Sequence, residues 1–260
     1  MKNIRFKDSF DFIYGNLWLA DAKKLKHIAP SLNLTEDLPS ETKPLNQAVS
    51  LPLTKLVQPS PIIPSKRPAV AINDWHTLEN LLNNCNLCQL SQGRNNVVIE
   101  RGTRTAEWMF IGDETNAEED LEIKPFVGKL GELLDKMIAA MQNKCNKPVS
   151  FYITNAVKCK TPTNRHPQNE EIESCQNYLH QQIKLVQPKI IIALGRFAAQ
   201  ALLNTQLSIN KLRQANLVYT TIPVIVTYNP HYLHRNPQVK HEAWEDLQKA
   251  LAIYQQITNK

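Results

Sequence analysis

The chain has 260 residues, five cysteines and a formal net charge of +6 at pH 7. This cysteine content does not suit a small disulfide-stapled secreted protein, and the N-terminus has no apolar segment typical of a secretion signal. The longest apolar run, residues 190–203, is interrupted by Arg196 and is too short to cross a bilayer. We therefore expect a cytoplasmic monomer that has reduced thiols and no membrane segment, and its positive charge favours a polyanionic partner.

The first 70 residues or so differ in composition from the rest of the chain. Aromatic residues cluster between Phe6 and Trp18, and eight of the sixteen prolines fall between Pro30 and Pro68. We interpret residues 26–72 as a flexible proline-rich linker. Residues 1–25 would be either a short motif that binds a protein partner or a loosely ordered arm without one. The folded domain would then span residues 73–260.

From Trp75 onward, apolar residues recur with the spacing of buried helices and strands. An amphipathic segment at residues 75–83 is followed by apolar runs at 108–111, 151–153, 190–194 and 224–227, which predict buried strands. Helical spacing is present at 130–141, 172–186, 196–203 and 241–257. This alternation predicts an α/β domain with three α/β/α layers and a central parallel sheet. Its ligand site is expected at the carboxyl ends of the strands.

Four of the five cysteines suggest a metal site. Two residues separate Cys85 from Cys88, Cys159 follows a predicted strand, and Cys175 falls within a predicted helix. Four thiolates from distant parts of one domain suit a metal cage, and an iron-sulfur cluster and zinc both accept such ligands. Cys145 has no place in this pattern, and we interpret it as an ordinary free thiol.

Three predicted strands end in polar motifs. These are Gly-Asp-Glu-Thr-Asn at 112–116, which Pro-Phe-Val-Gly follows at 125–128, then Thr-Asn-Ala-Val-Lys-Cys at 154–159, and Thr-Tyr-Asn-Pro-His-Tyr-Leu at 227–233. Further motifs are Gly-Arg-Asn-Asn-Val-Val at 93–98, Ala-Leu-Gly-Arg at 193–196 and Arg-Asn-Pro at 235–237. Together with the paired cysteines, and in this order over residues 75–251, they resemble the family 4 uracil-DNA glycosylases. That family is the iron-sulfur branch of its superfamily.

The resemblance implies an enzyme that turns uracil out of DNA and hydrolyses its N-glycosidic bond in base excision repair. Phe126 matches the aromatic residue on which the family stacks uracil, and Asn155 matches the amide that bonds the pyrimidine edge. By the same resemblance a [4Fe-4S] cluster, with zinc as the alternative, would bind Cys85, Cys88, Cys159 and Cys175.

The resemblance also implies where DNA would bind. Leu233 matches the apolar wedge that fills the gap left by the extruded nucleotide. The expected phosphate contacts are Lys158, Lys160, Arg165, His234 and Arg235.

Two motifs depart from the family pattern. The first normally reads Gly-Glu-Ala-Pro-Gly, whereas this chain offers Asp113 or Glu114 to handle water and the cationic sugar. Asn116 replaces the second glycine, and we expect it to adopt the left-handed conformation that asparagine tolerates. The third motif normally begins His-Pro, and here Asn229 would donate to the leaving base, with His231 as the less favoured alternative donor.

These departures leave two functional hypotheses. The first is a uracil-DNA glycosylase, weak or altered, whose substrate is DNA containing uracil. The second is a catalytically inactive module that binds DNA or protein, such as a replication accessory protein. Its layout would then resemble that of the psi subunit, a clamp-loader accessory subunit of bacterial DNA polymerase III. In either case a protein partner from the replication or repair machinery could bind the N-terminal segment.

Overall fold

The structure, a computed structural model, describes residues 72–145, 147–162 and 165–259. The predictions for the aromatic segment and for nearly all of the proline-rich linker therefore lie outside the described residues. Ile72 is buried together with Leu78 and Leu82, so the hydrophobic core of the domain already includes this residue.

The elements of the domain alternate along the chain. The helices described are α1 (Trp75–Asn83), α2 (Leu90–Gly93), α3 (Ala117–Glu122), α4 (Gly128–Gln142), α5 (Asn169–Val186), α6 (Arg196–Leu203), α7 (Ile209–Gln214), α8 (Pro230–Arg235) and α9 (Lys240–Thr258), with a 3-10 turn at Pro237–Val239. The strands are β1 (Arg101–Gly102), β2 (Trp108–Thr115), β3 (Phe151–Lys160), β4 (Ile190–Leu194), β5 (Leu217–Tyr219) and β6 (Ile222–Thr227).

The six strands form one mixed sheet in the order β1-β3-β2-β4-β6-β5. The four central strands are parallel, and the short edge strands β1 and β5 pair antiparallel with their neighbours. The predicted α/β class with a central parallel sheet is confirmed. The register pairs Gly112 with Asn155 and Leu194 with Thr227, which brings the carboxyl ends of these strands to one edge.

Helices cover both faces of the sheet. Met109 and Ile111 of β2 share a buried cluster with Leu179 of α5. Trp108 and Phe110 point to the other face, because side chains alternate along a strand, and there they line a small apolar cavity with residues of α4. The three-layer arrangement follows from this alternation. None of the helices in the described ranges is long and apolar enough to cross a membrane.

Candidate active site

The candidate site is formed by residues in or just after the four parallel strands, at one edge of the sheet. Asp113 is near the end of β2, Asn155 lies in β3 opposite Gly112, Gly195 follows β4, and Asn229 comes two residues after β6. The carboxyl edge of a parallel sheet is where ligands bind in α/β domains. The fold therefore brings the first, second and third motifs together as the sequence predicted.

Phe126 and Asn155 lie side by side above Gly112. A Cβ atom at Gly112 would come within 2.6 Å of Phe126 Cζ and 2.3 Å of Asn155 Oδ1, so a larger residue does not fit. Phe126 has a left-handed φ of 55°, which is uncommon for an aromatic residue. Arg101 Nη1 donates to the Phe126 carbonyl at 2.8 Å and supports this conformation. A flat ring beside an amide can stack on a pyrimidine and bond its edge.

The buried carboxylate of Glu119 connects Phe126 and Asn155. The sequence alone did not single out this residue. Its Oε1 accepts from the Phe126 backbone N–H at 2.6 Å. Its Oε2 accepts from Asn155 Nδ2 and from the Asn116 backbone N–H, both at 3.1 Å. Burial raises the pKa of Glu119 to about 7, against the opposing effect of these hydrogen bonds. The Glu119 carboxylate thus bonds to both Phe126 and Asn155.

A capping box at the start of α3 explains how Glu119 reaches this position. Asn116 Oδ1 accepts from the backbone N–H groups of Glu118 at 2.8 Å and Glu119 at 3.0 Å, and Glu119 returns a bond to Asn116. The spacing Asn-x-x-Glu is the sequence signal that could have identified this residue. The expected left-handed conformation of Asn116 is wrong, because its φ of −96° is that of an extended N-cap.

Asp113 is held by two hydrogen bonds. Its Oδ1 accepts from the Ala198 backbone N–H at 2.8 Å, and its Oδ2 accepts from Asn229 Nδ2 at 3.1 Å. A Cβ atom at Gly195, whose φ is 116°, would lie 2.0 Å from Asp113 Oδ2, so only glycine fits there. Burial, and then the charge of Glu114, raise the pKa of Asp113 to about 7. A carboxylate that titrates near neutral pH suits a general base.

Asn229 uses all its side-chain hydrogen-bonding groups within the protein. Its Oδ1 caps α8 by accepting from the His231 backbone N–H at 2.9 Å. Its Nδ2 donates to Asp113 and to the Leu194 carbonyl, each at 3.1 Å. An amide nitrogen carries two protons, so in this arrangement none remains for a leaving base.

The other two acid and base candidates lie at the margin of the site. Glu114 Oε1 is 3.2 Å from Nδ1 of His166, whose ring centroid is 5.0 Å from that of Phe197. No local sequence pattern marks His166, because its partner is 52 residues away along the chain. His231 is exposed in the first turn of α8.

Two of the predicted DNA contacts are contradicted by burial. Leu233 is 0% exposed and cannot act as a wedge where it lies. Lys158 is also 0% exposed, and its ammonium donates to Thr154 Oγ1 at 2.7 Å and to the Asn155 carbonyl. The reason is strand alternation, which places Lys158 on the same side of β3 as Thr154 and Ala156, and both of these are also fully buried.

The remaining predicted DNA contacts are placed differently. His234 and Arg235 are exposed on α8. Arg165 makes a bidentate ion pair with Glu171, at 2.8 and 2.6 Å. Lys160 pairs with the buried Asp120 at 3.4 Å. Of these four residues, only the two on α8 are exposed and form no ion pair with an acidic residue in the described part of the chain.

Residues 99–248, more than half of the chain, match the model of the family described as "Uracil DNA glycosylase superfamily". The chain belongs to the uracil-DNA glycosylase superfamily. The Type-4 uracil-DNA glycosylase of Archaeoglobus fulgidus is 36% identical over 173 residues, which are 64% of this chain and 85% of that protein. The Type-4 enzyme of Saccharolobus solfataricus is 39% identical over 173 residues, 64% of this chain and 79% of its own length.

A bacterial relative gives the same result. The Type-4 uracil-DNA glycosylase of Thermotoga maritima is 34% identical over 170 residues, 64% of this chain and 87% of that protein. The resemblance to the type 4 branch of the uracil-DNA glycosylase superfamily is confirmed.

The four cysteines of the predicted cage are free thiols in this uracil-DNA glycosylase domain. Cys85, Cys159 and Cys175 are buried, and Cys88 is half-buried. Burial raises the pKa of Cys88, Cys159 and Cys175, the last to about 12, and the charge of Cys85 raises each further. The thiols are therefore near enough to influence one another.

Basic side chains lie near these sulfur atoms and favour the thiolate form, which is the form that binds a metal. Arg94 Nη1 donates to Cys159 Sγ at 3.0 Å, and the buried ammonium of Lys158 interacts electrostatically with Cys159 and Cys175. Burial lowers the pKa of Lys158 to about 7, so Arg94 is the cation that would offset most of the charge of a thiolate-bound metal group. Across residues 72–145, 147–162 and 165–259, no three His, Cys, Asp or Glu side chains converge as a ready-made site for a metal ion.

Proposed function

We propose that this domain is a uracil-DNA glycosylase of base excision repair, which binds extruded uracil and hydrolyses its N-glycosidic bond. The observation that carries this proposal is the placement of Phe126 and Asn155 over Gly112, beside the half-buried carboxyl of Asp113. The relatives named above are Type-4 uracil-DNA glycosylases, which supports this proposal. The substrate would be DNA that contains uracil.

Recognition of uracil would depend on the orientation of the Asn155 amide. One Nδ2 proton is engaged by Glu119, at 3.1 Å. The second is shared with Thr115 Oγ1 at 3.4 Å, a long bond that would have to be exchanged for one to uracil O4, while Oδ1 accepts from N3–H. Cytosine presents an amino group in place of O4, and two donors would then face each other. Because Glu119 prevents the amide from turning over, the site would select uracil.

Hydrolysis would use Asp113. In its ionised form the carboxylate can accept a proton from the attacking water and stabilise positive charge on the sugar. The water oxygen bonds to C1′, the bond from C1′ to N1 breaks, and its electron pair leaves with the uracil anion. The proton passes from water to Asp113 and then to solvent or the released base.

The leaving base would receive little help. Negative charge grows on uracil as the bond breaks, and one missing hydrogen-bond donor typically costs about a hundredfold or more in rate. Asn229 gives its two protons to Asp113 and Leu194. We therefore infer that uracil release by this enzyme is slow.

Asn229→His is expected to raise the single-turnover rate of uracil release by about a hundredfold, because imidazole can donate to the anionic base. The loss of the α8 cap should lower stability by about 1 kcal/mol. Asn229→Ala is the matched control, since it removes the same cap and both amide protons without supplying a donor. Equal rates for the histidine and alanine variants would show that a missing donor does not limit the reaction.

For the cysteines, we propose a [4Fe-4S] cluster on Cys85, Cys88, Cys159 and Cys175, with zinc as the alternative. Such a group would join the segment after α1 to β3 and α5. Cys159 lies four residues beyond Asn155 in β3, or about 13 Å along an extended strand. At that separation the metal group would stabilise the fold and would not contact the extruded uracil.

Cys175→Ser is expected to abolish metal binding and to lower the melting temperature by roughly 10 °C or more, because it removes a buried ligand. The measurement is iron, sulfide and zinc content after anaerobic purification, together with thermal unfolding. Cys145→Ser is the control, and it should change neither quantity. Undiminished metal content in Cys175→Ser would contradict the proposed ligand set.

A second candidate function is a DNA-binding module without hydrolysis, such as a replication accessory protein. The engagement of every Asn229 side-chain group within the protein favours it. In that case the segment at residues 1–25 would bind a protein partner, and deletion of residues 1–20 would abolish that interaction.

One experiment separates the two functions. Anaerobically purified protein is incubated with single-stranded and duplex oligonucleotides that contain one uracil, and both free uracil and DNA binding are measured. Uracil release identifies the enzyme. DNA binding without release of uracil identifies the module, and the absence of both release and DNA binding would contradict both functions.

A further inference from the structure

A nucleotide that turns out of DNA leaves a gap in the base stack, which a side chain of the protein can fill. The inference that follows concerns this side chain and rests on the proposed function. Phe126 is 5% exposed and Asn155 1%, so a base that reaches them must leave the duplex completely. Proteins that hold such a distortion insert an exposed apolar or aromatic side chain between base steps. Leu233 is fully buried and does not meet this requirement.

Few side chains in the described part of the chain do meet it. The large apolar residues that are exposed there are Leu87, Leu121, Ile123, Leu207, Tyr232 and Ile257. Two places among them adjoin the candidate active site. Leu121 and Ile123 lie between the first motif and Phe126, and Tyr232 lies three residues after Asn229.

Charge distinguishes these two places. The exposed charged residues around Leu121 and Ile123 are Glu118, Glu122 and Lys124, a net negative set that would repel phosphates. Tyr232 lies on α8 among the exposed side chains of His231, His234 and Arg235. The surface around Tyr232 therefore attracts the DNA backbone and that around Leu121 does not.

Tyr232 is also held in place by stacking. Its ring lies 5.2 Å from that of Tyr228, with an interplanar angle of 23°. Tyr228 is itself held by Arg213. The Arg213 guanidinium lies 4.5 Å from the Tyr228 ring centroid, and Arg213 Nη1 donates to the Tyr228 hydroxyl at 3.0 Å. Arg213 is in turn anchored on α9 by Asp246, at 2.6 Å. A side chain ordered in advance loses less entropy on binding.

We propose that Tyr232 enters the duplex beside the extruded nucleotide and takes the role that the sequence had suggested for Leu233. It would stack on a neighbouring base, while His234 and Arg235 contact phosphates on either side. Tyr232 is 47% exposed, which leaves enough of the ring free to stack without a change in α8.

The test compares Tyr232→Ala with Tyr232→Phe, which keeps the ring. The probes are a duplex with a uracil–guanine pair beside 2-aminopurine, whose fluorescence reports unstacking, and the same strand alone. Tyr232→Ala should weaken the fluorescence response and duplex binding about ten- to hundredfold, and single-strand binding much less. Tyr232→Phe should resemble the wild type. Pyrene placed opposite uracil, which occupies the gap itself, should restore the alanine variant.

The outcomes keep the two proposals apart. If the wild type unstacks 2-aminopurine but releases no uracil, and Tyr232→Ala fails to unstack it, the hydrolysis proposal fails and the role of Tyr232 is supported. If the wild type releases uracil and Tyr232→Ala does so equally well from the duplex, the role of Tyr232 is overturned. Equal losses on duplex and single strand, or no fluorescence change with the wild type, would also overturn it.

Discussion

Replacement of Asp113 by alanine is expected to lower the single-turnover rate of uracil release by about a hundred- to ten-thousandfold, the range that a general base contributes. Asp113 is the acidic residue of the first motif that Ala198 and Asn229 hold in place. Its pKa of about 7 lets it exist as a carboxylate at neutral pH and still accept a proton. The measurement is uracil release from a single-stranded oligonucleotide, with folding checked by circular dichroism.

The pH dependence gives this prediction a second readout. If the ionised form of Asp113 is the active one, the rate should rise with pH to a midpoint near pH 7 and then level off. Glu114→Gln is the matched control, because it leaves Asp113 in place and removes the neighbouring charge that raises its pKa. That variant should stay active with its midpoint at lower pH. A rate in Asp113→Asn equal to that of the wild type would refute the role of the carboxylate.

Asn155→Asp is expected to reduce uracil release by about a hundredfold or more, since a carboxylate cannot donate to uracil O4. The new carboxylate would also face Glu119 Oε2, which is now 3.1 Å from Asn155 Nδ2. Two buried acids at this distance repel, and breaking a buried polar pair typically costs about 3–5 kcal/mol. Thermal unfolding should therefore show a loss of stability that grows as pH rises and both groups ionise.

The double variant Asn155→Asp with Glu119→Gln separates folding from recognition. The glutamine amide can donate to the new carboxylate, so stability should return towards that of the wild type. Uracil release should stay low, and cytosine, whose amino group can donate to the carboxylate, should become the better ligand. Recovery of uracil release in the double variant would mean that Asn155 does not read the pyrimidine edge.

The buried strands were the most predictable part of the fold. The apolar run at 190–194 is strand β4, and all five of its residues are buried. A strand covered on both faces needs apolar residues at each position, so the pattern does not depend on details of the neighbours. The same reasoning located the strand ends and thereby Asp113, Asn155 and Asn229.

Side-chain orientation at these strand ends was less predictable. Lys158 looks like a surface cation in the sequence, but it shares one side of β3 with Thr154 and Ala156, and the folded domain buries that side completely. Leu233 and Tyr232 are adjacent in sequence, and only the helical geometry of α8 decides that the leucine is buried and the tyrosine exposed. Glu119 was missed because its importance comes from three donors that folding brings to it.

Strand β3 carries the pocket amide of Asn155 and the proposed ligand Cys159 on one run of backbone, and Lys158 bonds back to the Asn155 carbonyl between them. The pocket at Asn155 and the four-cysteine site would then unfold locally as one cooperative unit. Backbone amide protons of β3 should exchange with deuterium faster after removal of the metal, including those near Asn155. If the proposed cluster and uracil pocket are both correct, a cell short of iron would lose uracil detection by this protein before the protein lost the rest of its fold.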